Sequence, residues 1–283
     1  MCIRGSVSNG GRMRRRLLIL GCAIISALAC SPSMDAQSPS ETPAAKGPEK
    51  LCAPGKLICV SKSATNSQVS NPFRIDVEVN SADDIQVAWE IRDSTGQVLE
   101  SSSTGDYVNQ PTENFSVGRT LHVQAFIFTP AKSERGTVTL TPSGGDLPGI
   151  TIPVHLTTAK STVTILMPDK PDELADSASD WVQGEKHPKF DPKLNLRTRQ
   201  IEIMQFDQAA IIGATVEAVL RSWPGQGPWH ATHWRQGGST AHVTLVADGW
   251  AGVTYYATEV NYLIEKSVLN LPGVKKLVFD RGP

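Results

Sequence analysis

Phe73-Arg-Ile-Asp-Val-Glu-Val79 and Ile85-Gln-Val-Ala-Trp-Glu-Ile91 each place an apolar side chain at every second position. Successive side chains of an extended chain point to opposite faces, so a period of two marks a strand with one buried and one wetted face. Ser94-Thr95-Gly96 supplies turn residues after the second run. The alternation then returns in Leu121, Val123, Ala125 and Ile127, in Val138 and Leu140 beyond Gly136, and in Ile150, Ile152 and Val154. Short half-buried strands at this spacing, with no amphipathic helix among them, predict an antiparallel β-sandwich over residues 51–157. Trp89 falls in register with aliphatic neighbours and is expected to fill the core between the sheets.

Asn71-Pro72-Phe73 opens a strand, Gly96 separates two strands within Trp89–Leu99, Phe115 precedes the Leu121–Phe128 strand, and Ile152-Pro153-Val154 closes the run. In these features the segment resembles the immunoglobulin-like domain that accompanies bacterial spore-germination modules. The resemblance implies an immunoglobulin-like sandwich. Asp76 and Glu78 depart from that pattern, standing where the family has a glycine and a small residue.

Residues 158–283 follow a different pattern. Thr162–Met167 is a strand candidate, Pro168–Arg197 is a polar stretch with four prolines expected to be a long loop, and Ile201–Met204 is another short strand. Asp207 is placed to cap a helix reaching about Ser222, with Ile212, Val216, Val219 and Leu220 on one face and Ala210, Ala214 and Ala218 on a neighbouring small face. Glu217 and Arg221, spaced i,i+4, are expected to pair on its solvent side. His242–Ala257 is expected to form two strands turned at Asp248-Gly249. A second helix follows from about Thr258, with Val260, Leu263, Ile264, Val268 and Leu271 at helical spacing, and stops at Pro272-Gly273. Val274–Phe279 would be the last strand. Helices alternating with antiparallel strands make a compact α+β domain. The Ala-spaced helix, the Val243–Val253 stretch, the helix after it and the closing strand resemble a GerMN domain, the spore-germination and sporulation module. Tyr255-Tyr256 depart from it, as does the Trp/His-rich stretch described below. This second resemblance implies a non-catalytic envelope module, often carried by lipoproteins and often paired with that same immunoglobulin-like domain.

The N-terminus points to the same compartment. Arg12, Arg14, Arg15 and Arg16 precede the apolar run Leu17–Ala29, too short to span a bilayer, so residues 1–29 are expected to be a signal peptide. Ala27-Leu28-Ala29-Cys30 fits a lipoprotein cleavage site, which makes Cys30 the candidate for lipidation by palmitate-type acyl chains. Residues 30–50 carry four prolines and four serines and bury almost nothing, so they are expected to be a flexible tether. Ser31 is not the aspartate that retains lipoproteins at the inner membrane. The expected location is therefore the periplasmic face of the outer membrane in a two-membrane cell, or the outer face of the plasma membrane otherwise. Removing residues 1–29 takes away five arginines and no acid, which leaves 22 basic and 28 acidic side chains and a net charge of about −6. Such a chain, with no basic cluster interleaved with aromatics, is not expected to bind nucleic acid. Cys52 and Cys59 flank Pro54-Gly55, which bends the chain back, and an oxidising compartment favours a disulfide between them.

No catalytic or phosphate-binding motif is present. The chain has no Gly-x-Ser-x-Gly elbow and no His-Glu-x-x-His, and Gly225-Gln226-Gly227 lacks the third glycine of a dinucleotide loop because His230 stands there. The densest chemistry lies in Trp223–Trp234, where Trp223, Trp229 and Trp234 share twelve residues with His230 and His233. These five side chains are the candidate binding residues. They form either a lid folded over the sheet or an aromatic platform for a glycan or partner peptide. Two histidines at i,i+3 without a nearby cysteine or acid are too few for a metal site, and neither metal nor cofactor is expected. Asp172, Glu173, Asp176 and Asp180 lack calcium-loop spacing and are assigned to a solvated face. The expected function is a lipid-anchored, non-catalytic envelope protein that binds or scaffolds a protein partner. The alternative is a lipoprotein that binds a cell-wall glycan or peptidoglycan fragment through Trp223–Trp234.

Overall fold

A computed structural model describes residues 49–80, 87–102, 119–142, 147–183, 190–223, 229–247 and 254–280. Residues 1–48, which include the expected signal peptide, Cys30 and most of the expected tether, lie outside the described residues. Glu49 and Lys50, expected at the end of the tether, belong to the fold: strand β1 is Lys50–Cys52, and the Glu49 carbonyl accepts from the Lys62 amide at 2.8 Å.

Strands β2 (Ile58–Ser61), β3 (Phe73–Val79), β4 (Val87–Asp93), β5 (Val98–Ser101), β6 (Arg119–Ala125), β7 (Arg135–Pro142) and β8 (Ile150–His155) follow. They form two four-stranded antiparallel sheets, ordered β1-β2-β3-β6 and β5-β4-β7-β8. The alternation sends Phe73, Val77, Leu121 and Val123 of one sheet and Trp89, Ile91, Val138, Leu140 and Ile152 of the other into one shared core. Trp89 is buried there, its ring centroid 5.9 Å from that of Phe73. Cys52 and Cys59 stand directly opposite each other in the β1–β2 register and are joined through sulfur.

The second half comprises β9 (Lys160–Pro168), α1 (Pro171–Gln183), β10 (Leu196–Met204), α2 (Ile211–Ser222), β11 (Trp229–Gly237), β12 (Thr240–Ala247), α3 (Thr254–Leu269) and β13 (Lys276–Asp280). Strands β9 and β10 form a nine-pair antiparallel ribbon, and β11-β12-β13 form a separate sheet. Three expectations need correction. Pro168–Arg197 is not one long loop, because Pro171 starts α1, Asp172 and Glu173 occupy its first turn, and Leu174 and Ala178 bury a face. The hairpin is β11–β12, turned at Gly238-Ser239 with Gly238 at φ 59°, and it begins inside the stretch expected to be a loop. Asp248-Gly249 lies outside the described residues, and the strand expected to reach Ala257 is replaced by the first turn of α3. Because α3 carries the chain back across the sheet, β12 and β13 pair in parallel rather than antiparallel.

Helix α2 is preceded by a short turn in which the Asp207 carboxylate accepts from the Ala209 amide at 3.0 Å. It buries Ile212, Ala214, Val216, Ala218, Val219 and Leu220, and Glu217 as well. Glu217, expected on the solvent side with Arg221, is buried instead. The Glu217 carboxylate accepts from the Ala231 amide at 2.6 Å, and Arg221 reaches Glu100 at 3.0 Å. Both observations follow from a helix packed on more than one side, where a polar side chain is kept only if another element supplies its partner.

Residues 46–283 form one compact unit with two cores that interleave. Met204 of β10 packs in the first core and Phe126, just after β6, in the second. Asn71 fastens them. Its side-chain amide donates to the carbonyls of Met204 (2.7 Å) and Ile127 (3.2 Å), and its oxygen accepts from the Ile127 amide (3.0 Å).

Candidate functional site

The same alternation that sends Phe73, Val77, Leu121 and Val123 inward turns their neighbours outward. Arg74 and Asp76 of β3 stand opposite Gln124 and His122 of β6. In the second half, His233 and Arg235 of β11, His242 and Thr244 of β12 and Asp280 of β13 lie on one face of their sheet. The two faces meet in a cleft of about 500 Å³, with Trp234 also in its wall. Gln124 ties the walls together, its amide donating to the carbonyls of Thr232 (3.1 Å) and Ala231 (3.5 Å) at the β-bulge between Ala231 and His233.

Trp234 is half-buried and wedged. Its ring packs on the backbone of Gly213 in α2, lies 5.2 Å from the Phe126 ring, and is covered by the Arg74 guanidinium at 5.9 Å. Each aspartate of the cleft is paired. The Asp76 carboxylate meets His122 Nδ1 at 2.7 Å. Asp280 meets His242 Nδ1 at 3.0 Å and Arg235 at 3.3 Å. The hydrogen bond from His242 holds the Asp280 carboxyl below the usual carboxylate range; partial burial opposes this, and the charges of His242 and Arg235 reinforce it.

The five residues singled out by sequence go to four different places. His233 and Trp234 line the cleft. Trp223 is buried, its indole N–H donating to the Glu259 carboxylate at 3.0 Å. Burial raises the Glu259 carboxyl above its ordinary value, and that hydrogen bond lowers it in part. His230 is buried with its Nδ1 4.0 Å from Glu217. Trp229 lines a separate pocket of about 200 Å³ with Leu245, Val260, Asn261 and Phe279. The five side chains therefore do not form a single platform, because from Trp229 onward the chain is a strand that sends neighbouring side chains to different sides. Asp172, Glu173, Asp176 and Asp180 are exposed on α1, as assigned.

Sequence reasoning missed Arg74, His122, Gln124, Arg235, His242, Thr244 and Asp280. The signal available was the set of outward positions on alternating strands; Asp76 and Glu78 stood out there as departures, and of the two Asp76 lines the cleft. Chemically the cleft offers charge and hydrogen-bonding capacity. Among the described residues no hydroxyl or thiol hydrogen-bonds to His122 or His242, and no three His, Cys, Asp or Glu side chains converge as a metal site would require. No described helix is long and apolar enough to cross a membrane. The chain matches no protein-family model, no curated protein and no solved structure.

Proposed function

We propose that the chain is a lipid-anchored cell-envelope protein whose two modules, an immunoglobulin-like sandwich to residue 157 and a GerMN-like α+β domain from residue 158, act together as a non-catalytic binding unit. The observation that carries this reading is the cleft, where outward faces of two sheets converge with arginines, paired His–Asp groups and a wedged tryptophan. A mostly preformed concavity with a few convergent polar groups is the usual form of a ligand site. Cys30 would anchor one end and the Pro/Ser tether would give reach, placing the cleft at the outer-membrane periplasmic face, or outside the plasma membrane in a single-membrane cell. The alternative of a glycan or peptidoglycan-fragment binder moves with the cleft, since of the five candidate side chains only His233 and Trp234 line it.

Replacing His233 with a photocrosslinking residue in the intact chain tests the reading, with Lys170, exposed beside α1, as the control position. Irradiation of cells should give envelope adducts from position 233 and few from position 170. Equal adducts from both positions, or none, would overturn the cleft as the binding site. Cys30→Ser should move the protein from membranes to the soluble fraction and abolish labelling by a palmitate analogue, and unchanged membrane association would sink the anchor.

A further inference from the structure

We infer that the cleft is an anion site: it takes a small acidic ligand of about disaccharide size, whose carboxylate or phosphate is held by Arg74 from one wall and Arg235 from the other, and it takes that ligand more tightly at acid pH. The inference rests on the reading of the cleft as a ligand site and names the chemistry of what enters it. A cleft of about 500 Å³ lies within the range of small-ligand pockets.

The first observation is Arg74. Among the described residues no carboxylate lies within ion-pairing distance of it, and its guanidinium rests over the Trp234 ring. Stacking orients the planar fork without consuming its N–H donors, which match a carboxylate or phosphate two at a time. The same contact argues against a neutral sugar. Trp234 packs on Gly213 and has the Arg74 guanidinium 5.9 Å from its ring centre, so an uncharged ring stacking on the indole would have to displace that guanidinium.

The second observation is the balance of charge. The titratable and charged groups facing the cleft are Arg74 and Asp76 from β3, His122 from β6, His233 and Arg235 from β11, His242 from β12 and Asp280 from β13. With neutral imidazoles the two arginines and two aspartates cancel. With the three histidines protonated the cleft carries a charge of +3.

The third observation is a contested nitrogen. His242 Nδ1 lies 3.0 Å from Asp280 Oδ1 and 3.1 Å from Arg235 Nη2. A neutral ring protonated on Nε2 accepts from Arg235 at Nδ1. A protonated ring must instead donate from Nδ1 to Asp280, and its charge repels the guanidinium. Where the neutral ring carries its proton on Nε2, protonation withdraws the bond from Arg235 Nη2 to Nδ1; Arg235 keeps its contact with Asp280 at 3.3 Å and a second positive charge stands beside it for the ligand. His122 acts more simply: Nδ1 is engaged by Asp76, so protonation turns Nε2 from an acceptor into a charged donor.

The test uses the full chain and calorimetric titration with three probes of one size: a disaccharide bearing a glucuronate, a disaccharide phosphate and the neutral disaccharide. Titrations run at pH about 5.5 and about 8, either side of the ordinary imidazole value of about 6.5. One charge-assisted hydrogen bond gained from a protonated imidazole is worth about tenfold in affinity. The expected result is about tenfold tighter binding of an acidic probe at the lower pH, with the neutral disaccharide at least about tenfold weaker there, the weight of one charge-assisted hydrogen bond. Preference between the two acidic probes identifies the carboxylate or the phosphate as the source. Arg74→Gln should weaken binding at both pH values, and His242→Gln should remove part of the difference between them. A neutral disaccharide that binds as tightly as the acidic ones, or acidic binding that ignores pH and Arg74→Gln, overturns the inference and leaves the cleft as a ligand site. No binding by any probe while position 233 still crosslinks also overturns it alone. No binding and no crosslinks overturn both.

Discussion

At Gly213, helix α2 comes close enough to touch the wall of the cleft. A Cβ at this position would lie 2.5 Å from Trp234 Cδ2 and 2.6 Å from Cε3, closer than side-chain contacts allow. The ring has little room to yield, held as it is against Phe126 and under Arg74. In an open helix, glycine to alanine is worth about 1 kcal/mol of stability. Here the added methyl meets a rigid aromatic, and overpacking of that kind costs about 1–3 kcal/mol. Gly213→Ala is therefore expected to lower stability by about 1 kcal/mol in denaturant titrations and to disturb Arg74 through the displaced ring. An alanine variant more stable than wild type would show that Trp234 is not wedged as described.

At the scale of the element, α2 shows both what sequence can carry and where it stops. The aspartate before the helix, the aliphatic face and the alanine face were legible because each depends on spacing within one segment. Glu217 was not. Its i,i+4 distance from Arg221 is the pattern of a surface pair, whereas its partner is the Ala231 amide on β11 and Arg221 has its own on Glu100. Nothing local marks such bonds. Glu217→Ala should accordingly cost about 2–3 kcal/mol, since it leaves a buried amide without an acceptor, and Glu217→Gln should cost less because an oxygen remains. A truly exposed glutamate would change stability by less than about 0.5 kcal/mol, and urea unfolding distinguishes the two. Helix α1 escaped notice because its buried stripe is as sparse as Leu174 and Ala178 inside a proline-rich polar stretch. Strand β11 did so because prolines and glycines precede it and a bulge interrupts its alternation. Strands β3, β6, β7 and β8, with clean alternation and no bulge in β3 or β6, were read nearly to their ends, whereas β1 and β2 were not singled out and Lys50 of β1 was placed in the tether. The cleft was illegible for a further reason: its walls draw on Arg74 at one extreme and Asp280 at the other, and only the packing of two sheets brings them together.

For the whole molecule, the question is whether two cores behave as one. Asn71 bonds to Ile127 and Met204, Gln124 to the β11 bulge, and Met204 and Phe126 are each inserted among the other half's apolar side chains. A charged tie joins them as well, Arg221–Glu100. Its Oε1 lies 3.0 Å from the guanidinium, Glu100 is 2% exposed, and the Arg221 guanidinium sits 4.2 Å from the centre of the Phe128 ring. Removing one partner of a buried ion pair costs about 3–5 kcal/mol, because the remaining charge stays desolvated, whereas replacing both can be nearly neutral. Arg221→Met keeps the apolar stem over Phe128 and strips only the charge, so it should lose stability on that scale. Adding Glu100→Gln, which keeps an acceptor for the Phe128 amide that now approaches Glu100 at 3.4 Å, should restore a large part of it. Hydrogen exchange gives the reading that matters for the cleft. If the tie couples the cores, Arg221→Met should speed exchange in β3 and β6 as well as in α2, and the double variant should slow it again in both. Acceleration confined to one half would mean that Arg221–Glu100 does not couple the cores, and the wall carrying Arg74 would then be held to the wall carrying Arg235 without it, through Asn71, Gln124 and the inserted Met204 and Phe126.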